Sequence, residues 1–106
     1  MNLGFIGTGR ITSSVIIGIF QSNIKFNKII ISPRNKQKAK YLKKRFSRII
    51  IAKDNQEIID NCNWVFLGIT PKVGKKILKK LNFISNQTIV SFISTIDISE
   101  LKKMIK

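Results

Sequence analysis

The residues whose types and spacing point most directly to chemistry are Gly7-Thr8-Gly9-Arg10-Ile11-Thr12, which directly follow the apolar run Leu3-Gly4-Phe5-Ile6. Gly7 permits a sharp turn, and Gly9 lets the backbone approach a ligand with no Cβ in the way. At a junction between a strand and a helix, such a turn aims free N–H groups and the positive end of the helix dipole at an anion. That is the chemistry of a pyrophosphate cradle, and the placement matches a dinucleotide fingerprint. Thr12 stands where the fingerprint has its third glycine. A β-branched side chain there is expected to push the helix outward from the sheet or to limit the fit of a cofactor.

A second signal lies about 25 residues further on, at the end of the next apolar run, at roughly the fingerprint's usual interval. A site preferring NAD(H) places Asp or Glu here, on the ribose 2′-hydroxyl. This chain has Ser32-Pro33-Arg34-Asn35, with Lys36 and Lys38 following. Arg34 can stack and donate in a fork to a 2′-phosphate, and Ser32 and the helix start at Asn35 add donors. The expected cofactor is therefore NADP(H).

Other chemistry is excluded by what is missing. There is no His, which removes the usual general base and the commonest metal ligand. Cys62 is the single cysteine, so neither a disulfide within the chain nor a cysteine-based zinc site can form. With no His to activate it, Cys62 reads as a small buried apolar residue. No catalytic residue and no metal site is expected. The N-terminus lacks a basic region ahead of an apolar run, and no segment is long and apolar enough to span a bilayer. A cytoplasmic setting, with no membrane partner, is the expectation.

The elements that must position these residues follow from the hydrophobic pattern. Leu3–Ile6, Lys28–Ser32, Ile49–Ala52, Trp64–Ile69 and Thr88–Ile93 read as short strands. Between them, Ile11, Val15 and Ile19 mark a helix reaching Ser22-Asn23. Ala39, Leu42 and Phe46 mark a second helix capped by Asn35, and Ile58 and Ile59 a third capped by Asp54 or Asn55. Val73, Ile77 and Leu81 mark a fourth, and Ile98, Leu101 and Ile105 a last one capped by Asp97 or Ser99. Strands apolar on both sides alternating with amphipathic helices predict a parallel sheet covered on both faces. The fold class is α/β: a doubly wound, Rossmann-like parallel sheet of about five strands, one domain over residues 1–106.

Twenty Lys and Arg against five Asp and Glu give a net charge of +15. The lysines fall on the polar sides of the predicted helices. Phe5, Phe20, Phe46, Trp64, Phe66 and Phe92 fall at core-periodic positions, so no exposed stacking platform is expected between basic residues. A solvated basic surface is the reading, with weak, salt-sensitive binding to polyanions and no specific nucleic-acid partner.

With these residues in hand, the chain resembles the N-terminal nucleotide-binding domain of pyrroline-5-carboxylate reductases. Its broader relatives are the 6-phosphogluconate-dehydrogenase-like and coenzyme F420-dependent NADP oxidoreductases. The likeness rests on Leu3–Gly9, Ile31-Ser32-Pro33-Arg34-Asn35 with Lys38-Ala39, Asp54-Asn55, Val65–Pro71 and Ile89-Val90-Ser91. The resemblance implies NADPH-dependent reduction of 1-pyrroline-5-carboxylate to proline, in proline biosynthesis. It implies Ile6, Gly7, Thr8, Gly9, Arg10 and Ile11 on the pyrophosphate, and Ser32, Arg34 and Asn35 around the 2′-phosphate. It further implies Asn55 on the adenosine side, Ile69, Thr70 and Pro71 along the dinucleotide, and Ser94 and Thr95 near the nicotinamide.

Three positions depart from the family: Thr12 from a small residue, Thr70 from the usual lysine, and Ser94-Thr95 from a glycine-containing turn. The resemblance also implies a helical C-terminal domain that forms a homodimer and holds most of the substrate, and it puts Lys106 about where the chain would enter that domain. The 106 residues alone are expected to bind NADPH without turning over. The alternatives are another NADP-dependent reductase built on the same domain and a stand-alone nucleotide-binding module.

Overall fold

The structure, a computed structural model, describes residues 1–105; Lys106, the last residue of the expected domain, lies outside the described residues. Five strands and five helices alternate: β1 (Asn2–Ile6), α1 (Arg10–Phe20), β2 (Lys28–Ile31), α2 (Lys36–Arg45), β3 (Ile49–Ile51), α3 (Asn55–Asn61), β4 (Trp64–Leu67), α4 (Pro71–Ile77), β5 (Thr88–Ser91) and α5 (Ile98–Ile105). All strand pairs are parallel, in the order β3-β2-β1-β4-β5. This is the doubly wound α/β architecture that the sequence pattern predicts. The strand order reverses between β1 and β4, which opens a crevice beyond their carboxyl ends.

Local chemistry sets the helix starts. The Asn35 side chain accepts from the Lys38 amide at 3.2 Å, Asp54 from Glu57 at 2.9 Å and Asp97 from Glu100 at 2.9 Å. Each fills the backbone donors of a first turn. Of the paired candidates, then, Asp54 and Asp97 are the caps. Pro71 starts α4, with Thr70 before it as cap. The fourth helix departs from its expected course. It is α-helical only to Ile77 and tightens into a 3-10 turn at Leu78–Lys80, so Leu81 lies past its end.

The core has two layers. On one face of the sheet α3, α4 and α5 cover Ile6, Ile30, Val65 and Leu67, with Ile58, Ile59, Cys62 and Met104 among the packed residues. On the other, α1 and α2 cover Leu3, Phe5, Ile29, Ile31 and Ile49. Here the structure corrects one expectation. The β4–β5 half of the sheet carries helices on one face only, because α1 and α2 lie over β1, β2 and β3. Trp64 is consequently 40% exposed, and Phe66 and Phe92 are only half-buried.

Candidate cofactor-binding site

The end of β1 and the end of β4 meet backbone to backbone. The Gly68 amide donates to the Ile6 carbonyl at 2.8 Å. Gly7 has φ +99°, and a Cβ there would run into the Gly68 carbonyl. Any side chain at position 7 is therefore excluded twice, by conformation and by space. Thr8 is buried, while Gly9, the residue capping α1, faces open space. No side chain caps α1, and its first turn holds no acidic residue. Its leading N–H groups are thus left for an anion.

Two cavities flank this turn. One, of about 610 Å³, is walled by Gly7, Thr8, Gly9, Arg34, Asn35, Lys36, Gln37, Gly68, Ile69, Thr70 and Val73. The other, of about 440 Å³, is walled by Gly9, Arg10, Ile11, Gly68, Ile69, Thr70, Pro71, Phe92 and Ser94. Gly9, Gly68, Ile69 and Thr70 belong to both, so the two form one groove across the start of α1. Arg34 and Lys36 stand at one end, and the mostly apolar set Ile11, Pro71 and Phe92 at the other. No carboxylate lines either cavity. A long dianion or trianion with a flat, weakly polar end suits these walls, and NADP(H) has that form.

Of the residues singled out from sequence, Gly7, Thr8, Gly9, Arg10, Ile11, Arg34, Asn35, Ile69, Thr70, Pro71 and Ser94 are brought together as walls of this groove. Four are not. Ile6 is wholly buried, contributing its carbonyl to Gly68. Ser32 is 2% exposed, and its hydroxyl donates to the Asn55 side chain. That bond ties the end of β2 to the start of α3, beside the groove instead of within it. Thr95 is exposed, with φ +64°, the one positive-φ residue besides Gly7 among the described residues. The structure adds Gly68, Val73 and Phe92, which the sequence marks only as parts of apolar runs.

Thr12 does not stand off the sheet. Its side chain is 1% exposed and lies over Gly68, at which a Cβ would collide with the Thr12 hydroxyl. The missing small residue of the helix is matched by a glycine on the facing strand. The Thr12 hydroxyl is buried with no hydrogen-bond partner. Cys62 lies under α3 on the far side of β1, against Gly4. Burial pushes its thiol up to about 12, so it is no nucleophile. Among the described residues no group of His, Cys, Asp or Glu could hold a metal ion, and no helix is long and apolar enough to cross a membrane.

Comparison with known proteins agrees with this geometry. Three solved pyrroline-5-carboxylate reductases share the fold. The one from Streptococcus pyogenes is 30% identical with a TM-score of 0.81 over 99% of this chain. That from Coxiella burnetii is 20% identical with a TM-score of 0.85 over 98%. That from Plasmodium falciparum, solved with NADP bound, is 20% identical with a TM-score of 0.81 over 99%. The chain spans 38–39% of the length of these proteins. No curated protein sequence matches it. The family model described as "NADP oxidoreductase coenzyme F420-dependent" matches residues 2–95. The chain therefore belongs to the coenzyme F420-dependent NADP oxidoreductase family and forms its NADP-binding Rossmann domain.

Proposed function

We propose that this chain is the NADPH-binding part of a reductase that converts 1-pyrroline-5-carboxylate to proline in the cytoplasm. The observation that carries the reading is the groove itself, with Arg34 and Lys36 at one end and the α1 amides at its middle. The 30% identity to the Streptococcus pyogenes reductase supports the choice of acceptor. In this reading Arg34 and Lys36 hold the 2′-phosphate, and Gly7, Thr8 and Gly9 with Arg10 and Ile11 receive the pyrophosphate. Asn35 and Asn55 keep the adenosine end in shape, Asn55 through its bond with Ser32. Ile69, Thr70 and Pro71 run beneath the dinucleotide, and Ser94 and Thr95 lie by the nicotinamide.

Bound NADPH supplies the hydride, and the imine is already electrophilic, so this chain needs no strong base of its own. What the 105 described residues do not provide is a set of donors that would hold an imine and its carboxylate. Positioning both reactants can contribute about 7–11 kcal/mol of the barrier. The isolated chain is expected to bind NADPH and to reduce the imine negligibly. Fusing it in frame to the C-terminal portion of a pyrroline-5-carboxylate reductase is expected to give a homodimer and restore turnover. The test is an NADPH-oxidation assay on both proteins. Turnover of ~1–10³ s⁻¹ by the isolated chain overturns the account of the missing part, and a folded but inert fusion overturns the choice of acceptor. The second reading, a reductase of the same family acting on another acceptor, is favoured by the family match, and a panel of acceptors offered to the fusion decides it.

A further inference from the structure

The open half of the sheet has a chemistry of its own. Trp64 and Phe66 alternate along β4 with the buried Val65 and Leu67, and Val90 of β5 is in register with Phe66. Phe66 stacks on Phe5 at 4.5 Å, with Trp64 at 6.3 Å and Phe92 at 6.0 Å from it. The result is an apolar strip running along β4 and β5 beside α1. Parallel strands are ordinarily covered by helices on both faces, so the layer that fits over this strip is a helix.

Charge narrows the partner. The five acidic residues of the chain are Asp54, Glu57, Asp60, Asp97 and Glu100. All lie in α3 or α5 or cap them, on the opposite face of the sheet. The face that carries the strip has α1 and α2, with Lys36, Lys38, Lys40, Lys43, Lys44 and Arg45 on α2 alone and no carboxylate on either helix. A second copy of this chain would bring more positive charge to a positive face.

We propose that the Trp64–Phe66–Val90–Phe92 strip is a docking surface for an amphipathic helix of a partner polypeptide, apolar toward the sheet and acidic along its outer flanks. Opposite charge steers such a helix to this face, and the strip supplies apolar area to bury. Aromatic rings among basic residues also suit single-stranded nucleic acid. The rings here lie against one another and are partly buried, which favours the side of a helix over separately stacked bases. Phe92 also walls the second cavity of the groove, so the docked helix borders the cofactor site without depending on it.

Trp64 is the sole tryptophan, so its emission reports on the strip directly. The probes are a helical peptide with Leu along one side and Glu along the other, its Leu/Lys counterpart, poly-glutamate and oligo-dT, each titrated into the full chain. The Leu/Glu peptide is expected to give a saturable blue shift. Val90→Glu, which places a charge under the peptide, is expected to weaken it by about tenfold or more. Ile98→Glu, on the far face, is expected to leave it unchanged. Both variants should keep the circular dichroism and NADPH affinity of the parent, which separates this test from the cofactor reading. The proposal is overturned if the Leu/Glu peptide gives no saturable shift or if the Leu/Lys peptide or poly-glutamate matches it. Tighter binding of oligo-dT overturns it also, and assigns the strip to nucleic acid.

Discussion

The hydroxyl of Thr12 occupies the space that the Cβ of residue 68 would fill, so threonine on α1 and glycine after β4 are a matched pair. Dinucleotide-binding turns ordinarily place the small residue on the helix. In this chain the small residue sits on the strand side, and α1 keeps close contact with the switch point between β1 and β4. The exchange leaves a hydroxyl buried without a partner, a local cost of about 1–3 kcal/mol.

Gly68→Ala is accordingly expected to destabilise the fold by about 1–3 kcal/mol, the usual effect of forcing extra volume into a packed site. In a Thr12→Gly background the same change should cost much less, with a coupling of about 0.5 kcal/mol or more. A double-mutant cycle by urea unfolding measures this. Simple additivity would show that the two residues do not share the space.

Arg34 is expected to set cofactor choice. NADPH should bind more tightly than NADH, and Arg34→Ala should remove most of the difference. Loss of a charge-assisted contact is worth about 1.5–3 kcal/mol, or roughly 10- to 150-fold in affinity. Titration calorimetry with both cofactors reads it, and equal affinities in the unaltered chain would contradict it.

Thr95 holds φ +64° with a branched Cβ, a conformation that costs about 1–2 kcal/mol for residues other than glycine. Thr95→Gly relieves it at the cost of a more flexible unfolded chain, about 0.5–1 kcal/mol. The net expectation is a rise in stability of up to about 1 kcal/mol, or up to ~4–8 °C in Tm. A drop in Tm would mean that tertiary contacts of the methyl and hydroxyl outweigh the strain.

The raised pKa of Cys62 predicts a pH dependence with a definite sign. Its thiol ionises near 9.0 when unfolded and near about 12 when buried. Below 9 both states hold the proton and the residue is neutral in the balance. Above 9 the unfolded state loses its proton while the folded state keeps it, so stability falls as pH rises toward 12. Urea midpoints measured on either side of pH 9, in the parent and in Cys62→Ala, isolate this part of the slope. A steeper decline in Cys62→Ala would refute it.

Much of the fold is legible in the sequence because its signals are local. Three-residue runs such as Ile49-Ile50-Ile51 admit little besides a buried strand, and Asn35 and Asp54 advertise helix starts through their own side chains. The turn at Gly7 and the basic end at Arg34 are legible for the same reason. What escapes the sequence depends on pairing across long separations. Ser32 looks like a donor for the cofactor until β2 brings it beside Asn55, which takes its hydroxyl. Trp64 and Phe66 carry a core-like spacing, yet the direction in which α1 and α2 cross leaves Trp64 uncovered. Thr12 looks obstructive until β4 places Gly68 opposite it.

The central position of β1 also orders the events of synthesis. Met1 to Ile6 leave the ribosome first, and β2 supplies one neighbour with Lys28–Ile31. The other edge of β1 has no partner until Trp64–Leu67 emerges. For the translation of more than thirty residues, then, the nascent chain carries an unpaired, fully apolar strand edge with α1 and α2 already available to shield one side. An exposed edge of that kind is where nascent chains stick to one another. The interval between Ile31 and Trp64 is thus the window in which a holdase would have most to protect.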